Sequence, residues 1–389
     1  MMKRILKFAL IASIFTSLVN ADEYKAVVNN KLNKLEIHED EGVLSVKSIP
    51  ATDLKKNQVS SYARALIDPQ NSSANAISFE YKGDGSDFYA SVFLGEKKNL
   101  LDAYEAVFPL KSTEWQKRTI LISEFARNAK PWNPTDLNLE NTRASLNALK
   151  FIGFGRGFKY HRYNHPDFSF QIRNIKFVQA PEILKLPLKK GIPNFLEKLK
   201  ANQSVKILLI GDSITEHGKD LSHTYHGMKQ LGKEAEVFNA AIGGHSSRCG
   251  EIVLERSVGR MPKPDLIVLM YGANDCKLVT SPQLFESHLM NTINKLNRLT
   301  DGNSEFLLIN GVPRLEKGSM QSKEIVEKIT PAYDLIAQKH GLLVVDSMSA
   351  FLALNEEDKK QYYKDTIHQT QEGQKFIGRL ISKTIKEQK

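Results

Sequence analysis

The chain reads as an all-β unit followed by an α/β unit with an open parallel sheet. Three observations predict this division. As far as about Gln179, short apolar runs alternate with polar residues between turns, the period-two pattern of strands that bury one face. Between Ala180 and Gln203, Pro181, Pro187 and Pro193 interrupt regular structure and mark a connection. Beyond it an apolar run, a loop and a helical stretch repeat five times, the pattern of buried parallel strands covered by helices.

The first residues, Met1 to Ala21, have a basic head, an apolar middle and a small residue at the end, and they predict a secretory signal peptide cut after Ala21. Lys7 leaves too short an apolar run for a comfortable membrane anchor, which needs about 20 residues. No later stretch has the character of a membrane span, so the mature chain is expected to be exported, periplasmic or secreted, with no integral membrane segment. Loss of Lys3, Arg4 and Lys7 with the leader lowers the formal charge from +10 to +7. A basic surface suits an anionic polymer, although solubility alone is the commoner explanation of such a charge. Nucleic acid is not indicated, since export argues against it and no basic stripe interleaved with stacking aromatics is present.

Residues 22–180 supply the β unit. Lys34–His38, Ile77–Tyr81, Phe88–Phe93, Trp115–Ile122, Leu149–Phe154 and Phe168–Phe177 alternate as strands of an antiparallel sandwich. The succession of a Trp-led strand, a loop, Leu149–Phe154 and the closing strand resembles galactose-binding-like jelly rolls, which often bind carbohydrate. Within it, Gly153–His165 is rich in aromatic, histidine and arginine residues. Tyr160 and Tyr163 could stack on sugar rings and Arg156 or Arg162 could bond hydroxyls, but packing of this loop into the sandwich or against a neighbouring unit is the commoner use of such residues. Residues 181–203 form the connection, with one helical stretch near Phe195–Leu199.

Residues 204–389 carry the parallel strands, expected at Val205–Ile210, Val237–Ile242, Leu266–Tyr271, Phe306–Ile309 and Leu342–Val345. Helical stretches fall near Thr224–Leu231, Glu251–Val258, Pro282–Leu299 and Ser322–Lys339, and a last helix near Gly373–Lys386 closes the unit. In such sheets ligands bind at the carboxyl ends of the strands. The first strand ends in Gly211-Asp-Ser213, which delivers a hydroxyl to that edge and makes Ser213 the candidate nucleophile. The second ends in Asn239-Ala-Ala-Ile-Gly-Gly244, whose glycines allow close backbone approach, and the third in Tyr271-Gly-Ala-Asn274, which offers a side-chain amide. Near the C-terminus, Asp365 and His368 are three residues apart, so one carboxylate can orient the imidazole that follows it. Singly, these are a helix cap, a turn, another cap and a surface histidine. Their order, and their common position on one sheet edge, set them apart from such ordinary uses.

The four blocks resemble those of the SGNH (GDSL-type) hydrolase family, in the expected order and across the whole second unit. The resemblance implies a flavodoxin-like sheet, ester hydrolysis and neither metal nor other cofactor. It implies Ser213 as nucleophile, His368 and Asp365 as the rest of the triad, and the N–H groups of Ser213 and Gly244 with the amide of Asn274 as the oxyanion hole. Gly243 is the less favoured donor. The last block departs from the usual Asp-Gly-x-His-Pro, with Thr366 and Gln369 at the glycine and proline positions; neither supplies a catalytic atom, but the local backbone is free to differ.

Export and a preceding jelly roll resemble the carbohydrate-esterase branches of that family, so the expected substrate is an O-acetylated polysaccharide such as peptidoglycan or xylan. Hydrolysis of small or lipid esters, or a glycan-binding protein with acetyl-transfer or no catalytic activity, are the alternatives. Arg248, Tyr271 and Arg314 fall on loops near the expected site and are candidate substrate contacts. Cys249 and Cys276 follow two of the motifs; they are too few for a zinc site but could pair in an oxidising compartment.

Overall fold

The structure is a computed structural model that describes residues 17–18, 24–28, 31–51, 60–67, 73–96, 103–127, 144, 146–157, 166–183, 185–315 and 323–388. Nearly all of the expected leader lies outside the described residues, as do Tyr160, Arg162 and Tyr163.

The first unit is two antiparallel six-stranded sheets. One sheet runs Lys34–Asp40, Val43–Ile49, Phe168–Val178, Ala76–Lys82, Gln116–Leu121, with the Ser17–Leu18 backbone paired to Lys176 and Phe177. The other runs Ala126–Arg127, Tyr104–Pro109, Tyr89–Gly95, Phe151–Arg156, Ser61–Leu66, Lys25–Val28. Alternation in sequence becomes burial on one face. Phe79, Phe108, Phe154 and Phe170 interlock between the sheets, with Phe108 and Phe170 edge-on at 5.4 Å. This all-antiparallel arrangement is consistent with a jelly roll.

Gly153–Arg156, the start of the aromatic- and arginine-rich stretch, belongs to the strand Phe151–Arg156 and not to a loop, and Arg156 shows what its end does. Its side chain is fully buried, its Nε donates to Ser48 Oγ at 3.0 Å, and its guanidinium lies 4.3 Å from the Phe168 ring centre. A charge so placed serves the sandwich interior and presents nothing to solvent.

The second unit is a five-stranded parallel sheet in the order Ala235–Asn239, Val205–Gly211, Leu266–Met270, Glu305–Ile309, Leu343–Val345. Numbered by sequence within this sheet the order is 2-1-3-4-5, the flavodoxin-like arrangement. Both faces of the central strands are buried. Leu208, Ile267 and Leu308 face one core with the helix Pro282–Leu299, while Leu209, Val268 and Leu307 face another with the helix Gln371–Lys386. The helix Pro193–Lys200 packs Phe195 and Leu199 into this second core, and its first N–H groups meet the buried Glu305 carboxylate at 2.8 and 2.9 Å.

Two elements differ in extent from those expected. The second strand is shorter than expected and ends at Asn239, although the Ala240 and Ile242 N–H groups still donate to the Leu209 and Gly211 carbonyls of the first strand and keep the following segment beside it. The helix expected from Glu251 starts instead at Ser247, where Ser246 caps it, and passes through a 3₁₀ turn over Glu251–Val253 before resuming at Leu254–Arg260.

The two units meet along an apolar patch in which Val107 and Ala126 pack with Ile242, Ile252 and Val253. Two half-buried ion pairs flank it. Arg118 reaches both oxygens of Glu255, at 2.5 and 2.7 Å, and Arg298 meets Glu124 at 2.6 Å.

Candidate active site

In a 2-1-3-4-5 sheet the chain leaves the first and third strands in opposite directions, and the crevice opens at their carboxyl ends. Gly211 ends the first strand, and an added Cβ there would lie 2.6 Å from the Met270 carbonyl and 2.8 Å from Thr215 Oγ1, so only glycine fits. Asp212 follows in extended conformation and caps the short helix Ser213–Glu216, its Oδ1 accepting from the Ile214 N–H at 2.9 Å. Ser213 is thereby fixed at the first position of that helix. Asn239 donates to the Thr215 carbonyl and Gln374 to that of Ile214, tying the turn to the second strand and to the last helix.

The Ser213 hydroxyl lies 2.9 Å from His368 Nε2, and His368 Nδ1 lies 2.8 Å from Asp365 Oδ2. The other carboxylate oxygen, Oδ1, accepts the N–H groups of Ile367 and His368 at 2.9 and 2.8 Å, so the loop closes on its own aspartate. A bridge between Tyr363 and Gln369, with the Lys364 N–H on the His368 carbonyl, clamps the base of this loop. Burial pushes the Asp365 carboxyl up, but the two backbone N–H groups and the imidazole outweigh it and hold the group well below the ordinary carboxylate range. Thr366 and Gln369, the two departures from the family pattern, take structural parts: Thr366 Oγ1 accepts from Arg314 at 2.9 Å, and Gln369 donates to the Ile367 carbonyl.

The glycine pair separates into two roles. The Gly243 N–H donates to Glu216 Oε2 at 3.0 Å, whereas Gly244 takes φ +76°, where a side chain would be strained, and among the described residues its N–H has no bond. The Asn274 amide donates to the His245 carbonyl at 2.9 Å, which holds the third strand's loop against the second's.

Beneath the site lies a buried acidic layer, Asp212 and Asp275, whose burial no motif in the sequence marks. Asp275 accepts from the Ser247 N–H and hydroxyl at 2.9 and 2.6 Å, and burial pushes its carboxyl up to about 6. Burial pushes the Asp212 carboxyl higher, to about 7, helped by the charge of Asp275 and opposed by the Ile214 N–H. Glu216 and His217 are unmarked too. An acid and a histidine following Gly-Asp-Ser carry no distinctive spacing until the fold sets them beside Gly243 and His368.

Of the three candidate substrate contacts, Arg248 and Tyr271 are each 2% exposed and lie inside the fold instead of on the rim. Tyr271 exchanges backbone bonds with the Tyr333 hydroxyl, at 3.1 Å from its N–H and 2.9 Å to its carbonyl. Arg314 is partly exposed and stands beside the His368 loop through Thr366. The cysteines are separate thiols: Cys249 Sγ accepts from the Ser246 N–H at 3.2 Å, and Cys276 Sγ donates to the Ala273 carbonyl at 3.3 Å. Among the described residues no group of three or more His, Cys, Asp or Glu could hold a metal, and no helix is long and apolar enough to cross a membrane.

An open parallel sheet with a serine, histidine and aspartate in line at its switch point is the framework of an esterase- or lipase-type hydrolase. Residues 209–376 match the model of the GDSL-like Lipase/Acylhydrolase family. Solved structures similar to it include an acetyl xylan esterase, 22% identical with a TM-score of 0.39, over 46% of this chain and 98% of that one. A lipase/acylhydrolase from Enterococcus faecalis is 24% identical with a TM-score of 0.39, over 47% and 96%. An acetylxylan esterase from Geobacillus stearothermophilus is 21% identical with a TM-score of 0.37, over 46% and 94%. No curated protein is significantly similar in sequence to the chain.

Proposed function

We propose that the chain is an exported serine esterase that removes O-acetyl groups from a polysaccharide through an acyl-enzyme. The observation that carries the chemistry is the continuous line from Ser213 Oγ through His368 to Asp365, with 2.9 and 2.8 Å contacts. In this reading Ser213 Oγ bonds to the ester carbonyl carbon while its proton passes to His368 Nε2. Asp365 fixes the tautomer that leaves Nε2 free to accept and stabilises the imidazolium. The N–H groups of Ser213 and Gly244 and the amide of Asn274 receive the oxyanion, Asn274 after turning from the His245 carbonyl. His368 returns the proton to the departing sugar oxygen, which leaves as a hydroxyl; it then draws a proton from the water that attacks the acetyl-serine carbonyl and passes it to Ser213 Oγ as that bond breaks and acetate leaves.

The division into a leader at 1–21, a sandwich at 22–180, a connection at 181–203 and a hydrolase unit at 204–389 belongs to the same proposal. The sugar follows from joining an expected export leader and a sandwich consistent with a jelly roll to an ester-cleaving site. Arg314, beside the His368 loop, is the proposed contact for the substrate's hydroxyls or carboxylates. Acetate release from peptidoglycan, acetylated xylan and simple acetyl and longer-chain esters tests the substrate class. Release from a polymer at a higher kcat/KM than from the simple acetyl ester supports it; activity that rises with acyl length and spares the polymers contradicts it.

A further inference from the structure

The ring of His217 lies against the ring of His368, with centroids 4.2 Å apart and planes inclined by 31°. The local chain explains the placement. His217 closes the first turn after Ser213, its N–H on the Ser213 carbonyl at 2.9 Å, and residues four apart on a helical turn share one face. The turn that presents the hydroxyl therefore also presents a second imidazole on the same side. On its other flank, His217 Nδ1 lies 2.6 Å from Lys364 Nζ. An ammonium can only donate, so Nδ1 accepts and the ring's own proton sits on Nε2, making His217 a neutral imidazole.

We propose that His217 is a positioning residue for His368: its ring face supports the His368 ring in the orientation that addresses Ser213 and stabilises that ring when it becomes cationic. The inference rests on the reading of Ser213 and His368 as nucleophile and base. A neutral aromatic face attracts a cation, whereas a second imidazolium at the same distance repels it. The charged and titratable groups around His217 are His368, Asp365 and Lys364 from the facing loop and Glu216 from its own turn. Burial first, then His368 and Lys364, favour the uncharged form of His217, against the opposing pull of Glu216 and Asp365. Lys364 thus has two effects: it fixes the tautomer of the supporting ring and discourages its protonation.

The full chain is tested with 4-nitrophenyl acetate as substrate and an organofluorophosphate as the serine probe, in wild type, His217→Ala and His217→Phe. His217→Ala is expected to lower kcat about ten-fold with KM within about two-fold, as removal of a cation–π contact felt mainly in the transition state would do. His217→Phe keeps an aromatic face and is expected to stay within about two-fold of wild type in kcat. A merely structural role would show as a lowered melting temperature and be unaffected by aromaticity. Should His217→Ala fail to fold, His217→Gln takes its place with the same expectation. Unchanged kcat in His217→Ala, or His217→Phe as slow as His217→Ala, overturns the proposal. Failure of the probe to label Ser213 in wild type overturns the nucleophile reading beneath it, so the two failures are told apart.

Discussion

Ser213 Oγ and His368 Nε2 are 2.9 Å apart although 155 positions separate them in the chain. Two local devices create that contact: the Gly211-Asp212 turn that fixes the serine at the sheet edge, and the Asp365 loop that closes on its own carboxylate. Each device makes a separate prediction.

Asp365→Asn replaces a carboxylate that accepts three bonds with an amide that can offer N–H to His368 Nδ1 and favour the wrong tautomer. Steady-state kinetics on 4-nitrophenyl acetate should show kcat reduced by about 10⁴ with the fold retained. A loss under ten-fold would mean that the imidazole is oriented by something else.

Asn274→Ala removes a proposed oxyanion donor and the bond to the His245 carbonyl. The expected loss in kcat is about 10²–10³, with a smaller change in KM. Equal losses from an Asn274→Ala variant whose melting temperature has collapsed would assign the amide to loop structure alone.

The acidic residues predict opposite pH dependences of stability. Asp365 has a depressed folded pKa, so its contribution is complete above the ordinary carboxylate value of about 4 and is lost as pH falls below it. Asp212 is raised to about 7, so the folded state holds a proton that the unfolded state has released, and stability declines as pH rises from about 4 to 7 and then levels off. Denaturant unfolding across that range should show a shallower decline in Asp212→Asn, which keeps an acceptor for the Ile214 N–H. An identical slope in wild type and variant would place the titration elsewhere.

Arg118 and Glu255 join the sandwich to the parallel-sheet unit through a two-oxygen contact. A double-mutant cycle with Arg118→Ala and Glu255→Ala should give a coupling of about 1 kcal/mol that shrinks in high salt, as for half-exposed pairs. A coupling near zero at low salt would leave the contact to the apolar patch around Ile252 and to the Arg298–Glu124 pair.

Periodicity made much of this fold legible. The helical stretch near Pro282–Leu299 was legible, and in the structure the Ser281 cap and Pro282 in the first turn fix where it starts. The parallel strands were visible as apolar runs, but the end of the second was not, since Ala240–Ile242 stay apolar and still bond to the first strand beyond Asn239. The candidate site was visible through four blocks with known spacing. What lay beyond them depended on burial, which composition does not report. Arg248 and Tyr271 look like rim residues in sequence and are inside the fold, while Glu216 and His217 look like polar surface and face Gly243 and His368.

In the proposed reaction Ser213 forms a covalent acyl-enzyme with the help of His368. Its most direct test is intact-protein mass spectrometry of wild type, Ser213→Ala and His368→Ala during turnover of an acetyl ester, with acetate release followed in parallel. Wild type should carry an acetyl adduct on Ser213, and folded Ser213→Ala should show neither adduct nor appreciable acetate. Substantial acetate release by folded Ser213→Ala would contradict that reaction.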